Sequence, residues 1–244
     1  MAKPSTRSLL QSRQAELIAT RKFFLLFIFL LCSLALYPYT EGNDSRYYIF
    51  RFLGAGIVFL SVYAVSFRRS LLLIAGLLAI PALLQKILIH EFDASALSLL
   101  RIALSLTFDV FIVVVIFRRV FSHDKPTAET VFGALCIYLL VGFSFASAYG
   151  LVAHVQPHAF YLDPVTNLHS VPDRFDFIYY SFGTMTSLGA AGITPVSGEA
   201  RSLSVIESLL GILYLAVLIS RLMAAYRINN PPPSSLVSGS ESEK

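Results

Sequence analysis

The apolar residues of this chain fall into long runs separated by short charged clusters, with runs at about 23 to 39, 47 to 67, 70 to 89, 96 to 117, 128 to 154 and 201 to 226. A bilayer core takes roughly 17 to 25 such residues per helix, so the pattern predicts six membrane-spanning helices. A shorter feature lies between the last two. Phe175 to Thr186 reads as a short amphipathic helix behind the turn signal Pro172-Asp173. It runs into the charge-free stretch Ser187-Leu188-Gly189-Ala190-Ala191-Gly192, and Pro195 then breaks the chain before the final run. Helix, glycine-bearing extended segment and proline between two spans is re-entrant geometry. Non-helical backbone at membrane depth is tolerated only where it is packed in protein or faces a water-filled cavity.

With 56% hydrophobic and 14% charged residues, the chain has too much apolar surface for one soluble core. The net charge of +4 does not point to nucleic acid, because the basic residues are dispersed at helix ends. They set topology instead. Lys3, Arg7, Arg13, Arg21 and Lys22 precede the first span, Arg68-Arg69 follow the second, Arg118-Arg119 the fourth and Arg227 the sixth. The alternate loops carry Glu41 and Asp44, then His90, Glu91 and Asp93, so both termini are expected in the cytoplasm. Tyr37-Pro38-Tyr39 after the first run is not a small-residue cleavage site, which predicts a retained helix. Leu9, Leu10, Leu17 and Ile18 allow an interfacial amphipathic helix before it. Cys32 and Cys136 lie in apolar runs and read as free buried thiols. The predicted organisation is a cytoplasmic segment at 1–22, a four-helix membrane domain at 23–119, a helix, loop and helix unit at 120–228, and a disordered polar tail at 229–244. No soluble regulatory domain is expected after the last span.

The stretch from Thr184 to Pro195 resembles the pore of tetrameric potassium channels, whose filter signature is Thr-Val-Gly-Tyr-Gly. Ser187 takes the threonine place, Leu188 the valine, Gly189 the first glycine, Ala190 the tyrosine, Ala191 the second glycine and Gly192 the usual aspartate. Tyr179-Tyr180-Ser181 stands where many members have an aromatic pair followed by serine, and the similarity extends from about Thr130 through Tyr226. The resemblance implies an all-α integral membrane protein with a re-entrant pore helix and loop between the fifth and sixth spans. It further implies a homotetramer in membrane lipid, a bacterial inner (plasma) membrane location, and no cofactor beyond a permeant monovalent cation, potassium or sodium. Carbonyls from Thr186 to Gly192 would replace the ion's hydration shell, Tyr179 and Tyr180 would support the pore helix, and Gly211 stands at the gating-hinge place. A helix glycine can equally serve close packing. The filter is degenerate. An L-residue in the left-handed region costs roughly 1 to 2 kcal/mol, or about 4 to 8 kcal/mol over four copies of Ala191 forced into glycine geometry. A relaxed filter without strict potassium selectivity, or one that does not conduct, is the expectation.

Glu207 inside the sixth span is a costly intramembrane charge and predicts a bond to the pore helix or loop. Arg51, Lys86, Arg101 and Asp109 are the ionisable residues within the first four spans, and Asp109 is expected to pair inside the bundle. Arg101 is followed at three-residue spacing by Leu104 and Thr107, so there is no arginine ladder for steep voltage sensing. His154, His158 and His169 lack metal-ligand spacing and read as solvated loop residues, with no metal site expected. No nucleophile elbow, zincin motif or phosphate loop is present, so no enzyme is predicted. The leading reading is a cation channel. The alternatives are a non-conducting regulatory pore-loop assembly and, third, a transporter using Asp109 and Lys86, for which an internal repeat would be required.

Overall fold

The computed structural model describes residues 6–36, 44–65, 69–88, 95–122, 128–167 and 169–229. Seven helices and two short strands follow in order: α1 Thr6–Leu36, α2 Asp44–Val65, α3 Arg69–Leu88, α4 Ser95–Phe121, α5 Ala128–Val155, β1 Phe160–Leu162, α6 Arg174–Met185, β2 Ile193–Pro195 and α7 Gly198–Asn229. Each predicted apolar run lies within a helix or overlaps one. Two of the helices, α5 and α7, are long and apolar enough to cross a membrane, and shorter apolar stretches cover Phe52–Val65 and Ser70–Leu83. The loop charges at positions 37–43, 66–68 and 89–94, and the tail at 230–244, lie outside the described residues.

Helix α1 runs unbroken from Thr6 through Leu36, with no glycine or proline to interrupt it, so the helix allowed before the first apolar run is continuous with that run. The chain is mostly helical, with one short ribbon. Between α5 and α6, Phe160-Tyr161-Leu162 forms a strand that pairs antiparallel with Ile193-Thr194-Pro195, between α6 and α7. Aromatic and β-branched residues favour a pleated surface, and Phe160 and Leu162 turn inward while Tyr161 stays exposed.

Helix α5 is the shared wall. It packs against α1 and α4 on the side of the first four helices, and against α6 and α7 on the other. Phe23, Leu26 and Leu30 of α1 meet Ile112 and Ile116 of α4 and Ile137 of α5 in one buried cluster. The Cys136 thiol is buried there and donates to the Phe23 carbonyl at 3.3 Å; Cys32, by contrast, is exposed, since it lies off the packed stripe of α1. Arg119 and Glu129 form an ion pair at 3.1 Å across the α4–α5 connection. A second cluster lies towards the C-terminal end of α5, where Tyr149, Phe160, Phe177 and Tyr180 meet edge to face, with Tyr149–Tyr180 centroids 5.0 Å apart. That geometry aligns the positive ring edge with the negative face.

Helix α7 differs from the rest. Within its apolar span 11% is buried by the chain itself, against 50% for α5. A helix that is apolar all round is stable only where lipid or other protein covers it.

Adjacent leucines of α1 test the packing. Leu26 is fully buried and Leu25 is half exposed. Leu26→Ala is expected to lower the stability of detergent-solubilised protein by about 2–5 kcal/mol, and Leu25→Ala by under about 1 kcal/mol, both read from denaturant titration midpoints.

Candidate functional site

Helix α6 starts where its sequence dictates. Asp173 caps it, accepting from the Asp176 N–H at 2.9 Å, and the Asp176 carboxylate accepts in return from the Asp173 N–H at 2.8 Å, a complete capping box. Asp176 also meets His169 Nε2 at 2.8 Å, so His169 is partnered and not merely solvated. The ligand atoms of His169, Asp173 and Asp176 lie within 4.8 Å of one another, a juxtaposition that loop spacing did not reveal. Both carboxylates are already engaged in starting the helix.

The helix ends at Met185, and Thr186 folds back on it, its N–H and hydroxyl both donating to the Phe182 carbonyl, the hydroxyl at 2.6 Å. Beyond, the backbone is irregular. Ser187, Gly189 and Gly192 have positive φ of 58°, 81° and 87°. The left-handed positions are therefore Gly189 and Gly192, and Ala191 is spared; the cost falls on Ser187, on the order of 1–2 kcal/mol. Thr186, Ser187, Leu188, Gly189 and Ala191 are all exposed on the single chain. The C-terminal end of α6 carries the partial negative charge of its dipole towards this loop, which favours a cation nearby.

Hydrogen bonds hold the loop from three directions. The Gly189 N–H donates to the Gly183 carbonyl at 3.1 Å, and the Ala191 N–H donates to the Tyr179 hydroxyl at 3.2 Å. From the connection between β1 and α6, the Asp163 N–H and the Asn167 side-chain amide both donate to the Gly192 carbonyl, at 2.9 and 2.8 Å. Behind α6, the buried carboxyl of Glu207 lies 2.5 Å from both the Ser181 and the Tyr149 hydroxyls, and Tyr180 and Ser204 are bonded at 2.6 Å. Glu207 thus links α5, α6 and α7. The partners Tyr149, Ser204, Asp163 and Asn167 carry no sequence signal. An intramembrane glutamate only announces that a partner exists.

Gly211 is buried against the end of α6, where a Cβ would strike the Met185 carbonyl oxygen. Of Arg51, Lys86, Arg101 and Asp109, the charges within the first four predicted spans, Asp109 is half-buried on α4 and interacts there. The side chains of Arg51, Lys86 and Arg101 lie outside the described residues. Gly211→Ala gives a test by sign. At an unpacked helical position alanine stabilises by up to about 1 kcal/mol, whereas overpacking against Met185 is expected to cost about 1–3 kcal/mol. The denaturation midpoint should fall.

Residues 134–227 match a family model described as an ion channel, a segment that begins within α5, contains α6 and the irregular loop, and ends in α7. No curated protein and no solved structure matches the chain. The matched segment contains a short helix capped at its start, a glycine-bearing loop pinned at its end, and two flanking apolar helices of spanning length. That segment is similar to the pore domain of potassium-channel-like ion channels.

Proposed function

We propose that the chain is a passive cation channel, in which four copies surround one pore formed by α7 and the loop Thr186–Gly192. The observation that carries this reading is the loop itself. It is non-helical, free of charge, and exposed over Thr186–Gly189 on one chain. Backbone of this kind at membrane depth requires a water-filled cavity or more protein, and a ring of copies supplies both. The bare apolar surface of α7 supports the same arrangement, since copies and lipid would cover it.

In this reading six helices span the membrane with both termini in the cytoplasm, and the helices over 23–119 brace the pore without acting as a steep voltage sensor. Carbonyls from Thr186 to Gly189 form the inner cation site. The outer filter is relaxed. Ala190 has no phenol to pack against the aromatic residues of α6, Ala191 keeps an ordinary backbone, and Gly192 adds no acidic ring at the mouth. Strict potassium selectivity is therefore lost, and the permeant ion is potassium or sodium with little preference.

The test is ion flux from liposomes holding the purified protein, with potassium and then sodium as the only permeant cation, beside the double substitution Ala190→Tyr, Ala191→Gly. Comparable flux of both ions through the unaltered protein, with a several-fold preference for potassium in the double variant, is expected. Flux through the restored filter alone would identify a non-conducting relative of a channel. Silence from both would sink the channel reading.

A further inference from the structure

The hydroxyl protons behind the pore helix do not suffice for the contacts they must serve. Glu207 Oε1 lies 2.5 Å from Ser181 Oγ, Glu207 Oε2 lies 2.5 Å from the Tyr149 hydroxyl, and Ser181 Oγ lies 2.7 Å from the Gly142 carbonyl oxygen. Each of these oxygen–oxygen contacts needs one hydrogen. Serine supplies one and tyrosine one, while a carbonyl and an ionised carboxylate supply none. Were Glu207 ionised, two hydrogens would serve three contacts. Either Ser181 would face the Gly142 carbonyl with lone pairs, or it would face the carboxylate so, inside a site where Glu207 and Ser181 are fully buried. An unserved contact between two acceptors at such a distance is repulsive, and burial away from bulk solvent leaves it unscreened.

A single added hydrogen removes the conflict. We propose that Glu207 is held as the neutral carboxylic acid and donates its own proton to Ser181. Ser181 then passes its hydroxyl hydrogen to the Gly142 carbonyl of α5, and Tyr149 donates to the remaining carboxyl oxygen. Three hydrogens serve three contacts, in one direction. The neighbouring pair obeys the same count: Ser204 donates to the Ala200 carbonyl at 2.7 Å, so Tyr180 is the donor in its bond to Ser204. Both groups that bond the Glu207 carboxyl are hydroxyls, and neither is a cation that would hold it ionised. Glu207 is thereby a positioning residue for the pore helix. It fixes Ser181, five residues before Thr186, to both flanking helices through its proton.

Glutamine separates this reading from an ordinary buried ion. Its amide nitrogen can donate to Ser181 and its oxygen can accept from Tyr149, which reproduces the neutral acid's pattern without a titratable proton. Infrared difference spectra of the reconstituted protein at neutral pH, unaltered minus Glu207→Gln, should show the carbonyl stretch of a protonated carboxylic acid. The thermal midpoint of Glu207→Gln should stay within about 2 °C of the unaltered protein, while Glu207→Leu, which strands Ser181 and Tyr149, should fall by at least about 5 °C. A difference spectrum without the acid band overturns the proposal, as does a glutamine variant as damaged as the leucine one. Neither readout needs ion flux, so failure here is distinct from failure of the channel reading.

Discussion

A backbone segment that is neither helix nor sheet must find partners for its N–H and C=O groups, and in a membrane it cannot borrow them from solvent. On the channel reading the loop after α6 lives under that constraint, and contacts within the chain answer much of it. The Gly189 N–H is satisfied by α6 itself, the Ala191 N–H by the Tyr179 hydroxyl, and the Gly192 carbonyl by Asp163 and Asn167, which follow β1. The β1–β2 ribbon serves the same end. By pairing Phe160–Leu162 with Ile193–Pro195 it brings Asp163 to the loop's exit. A stretch with the polar look of a disposable connection is thus part of the loop's support.

The loop can be only as well placed as α6, and α6 is held at both ends and from behind. Its start is fixed by the Asp173–Asp176 capping box, its finish by the packing of Met185 on Gly211, and its back by Ser181 and Tyr180 bonding to groups on α5 and α7. These are short, directional contacts in a dry setting, where a satisfied polar network rigidifies and an unsatisfied one is costly. Tyr149 ties the network to the aromatic cluster with Phe160 and Tyr180. Helix α7 therefore touches α6 near the loop at two points, Glu207 on Ser181 and Gly211 on Met185.

The sequence made the helices, the short helix behind Pro172-Asp173 and the irregular loop legible, because each depends on local periodicity or on a residue with special backbone freedom. Glu207 was legible as a residue in need of a partner. Its partner Tyr149 was not, since 58 positions separate them and an ordinary-looking tyrosine in an apolar run gives no sign of its direction. The β ribbon stayed hidden because three-residue strands lack a detectable period and their pairing joins distant segments. The continuity of α1 follows from the lack of a helix breaker between Thr6 and Leu36, although the composition changes from polar to apolar at Phe23.

The left-handed positions carry the strongest bearing on what the filter can be. Alignment by residue type puts the second glycine demand on Ala191, but the backbone meets it at Gly192, one residue later, where a Cβ would also strike the Thr166 side chain. Spacing between the two left-handed glycines is thereby three residues and not two, with Ser187 as a third such residue near the helix end. A carbonyl's direction follows from the φ and ψ around it, so a shift of one position redirects the outer carbonyls while leaving the turn at Gly189 in place. The Gly192 carbonyl is in addition taken by Asp163 and Asn167 and is not free to face an ion in the same way. The turn at Gly189 thus stands where the residue types place it, while the segment that ends at Gly192 is held to the rest of the chain by Asp163 and Asn167.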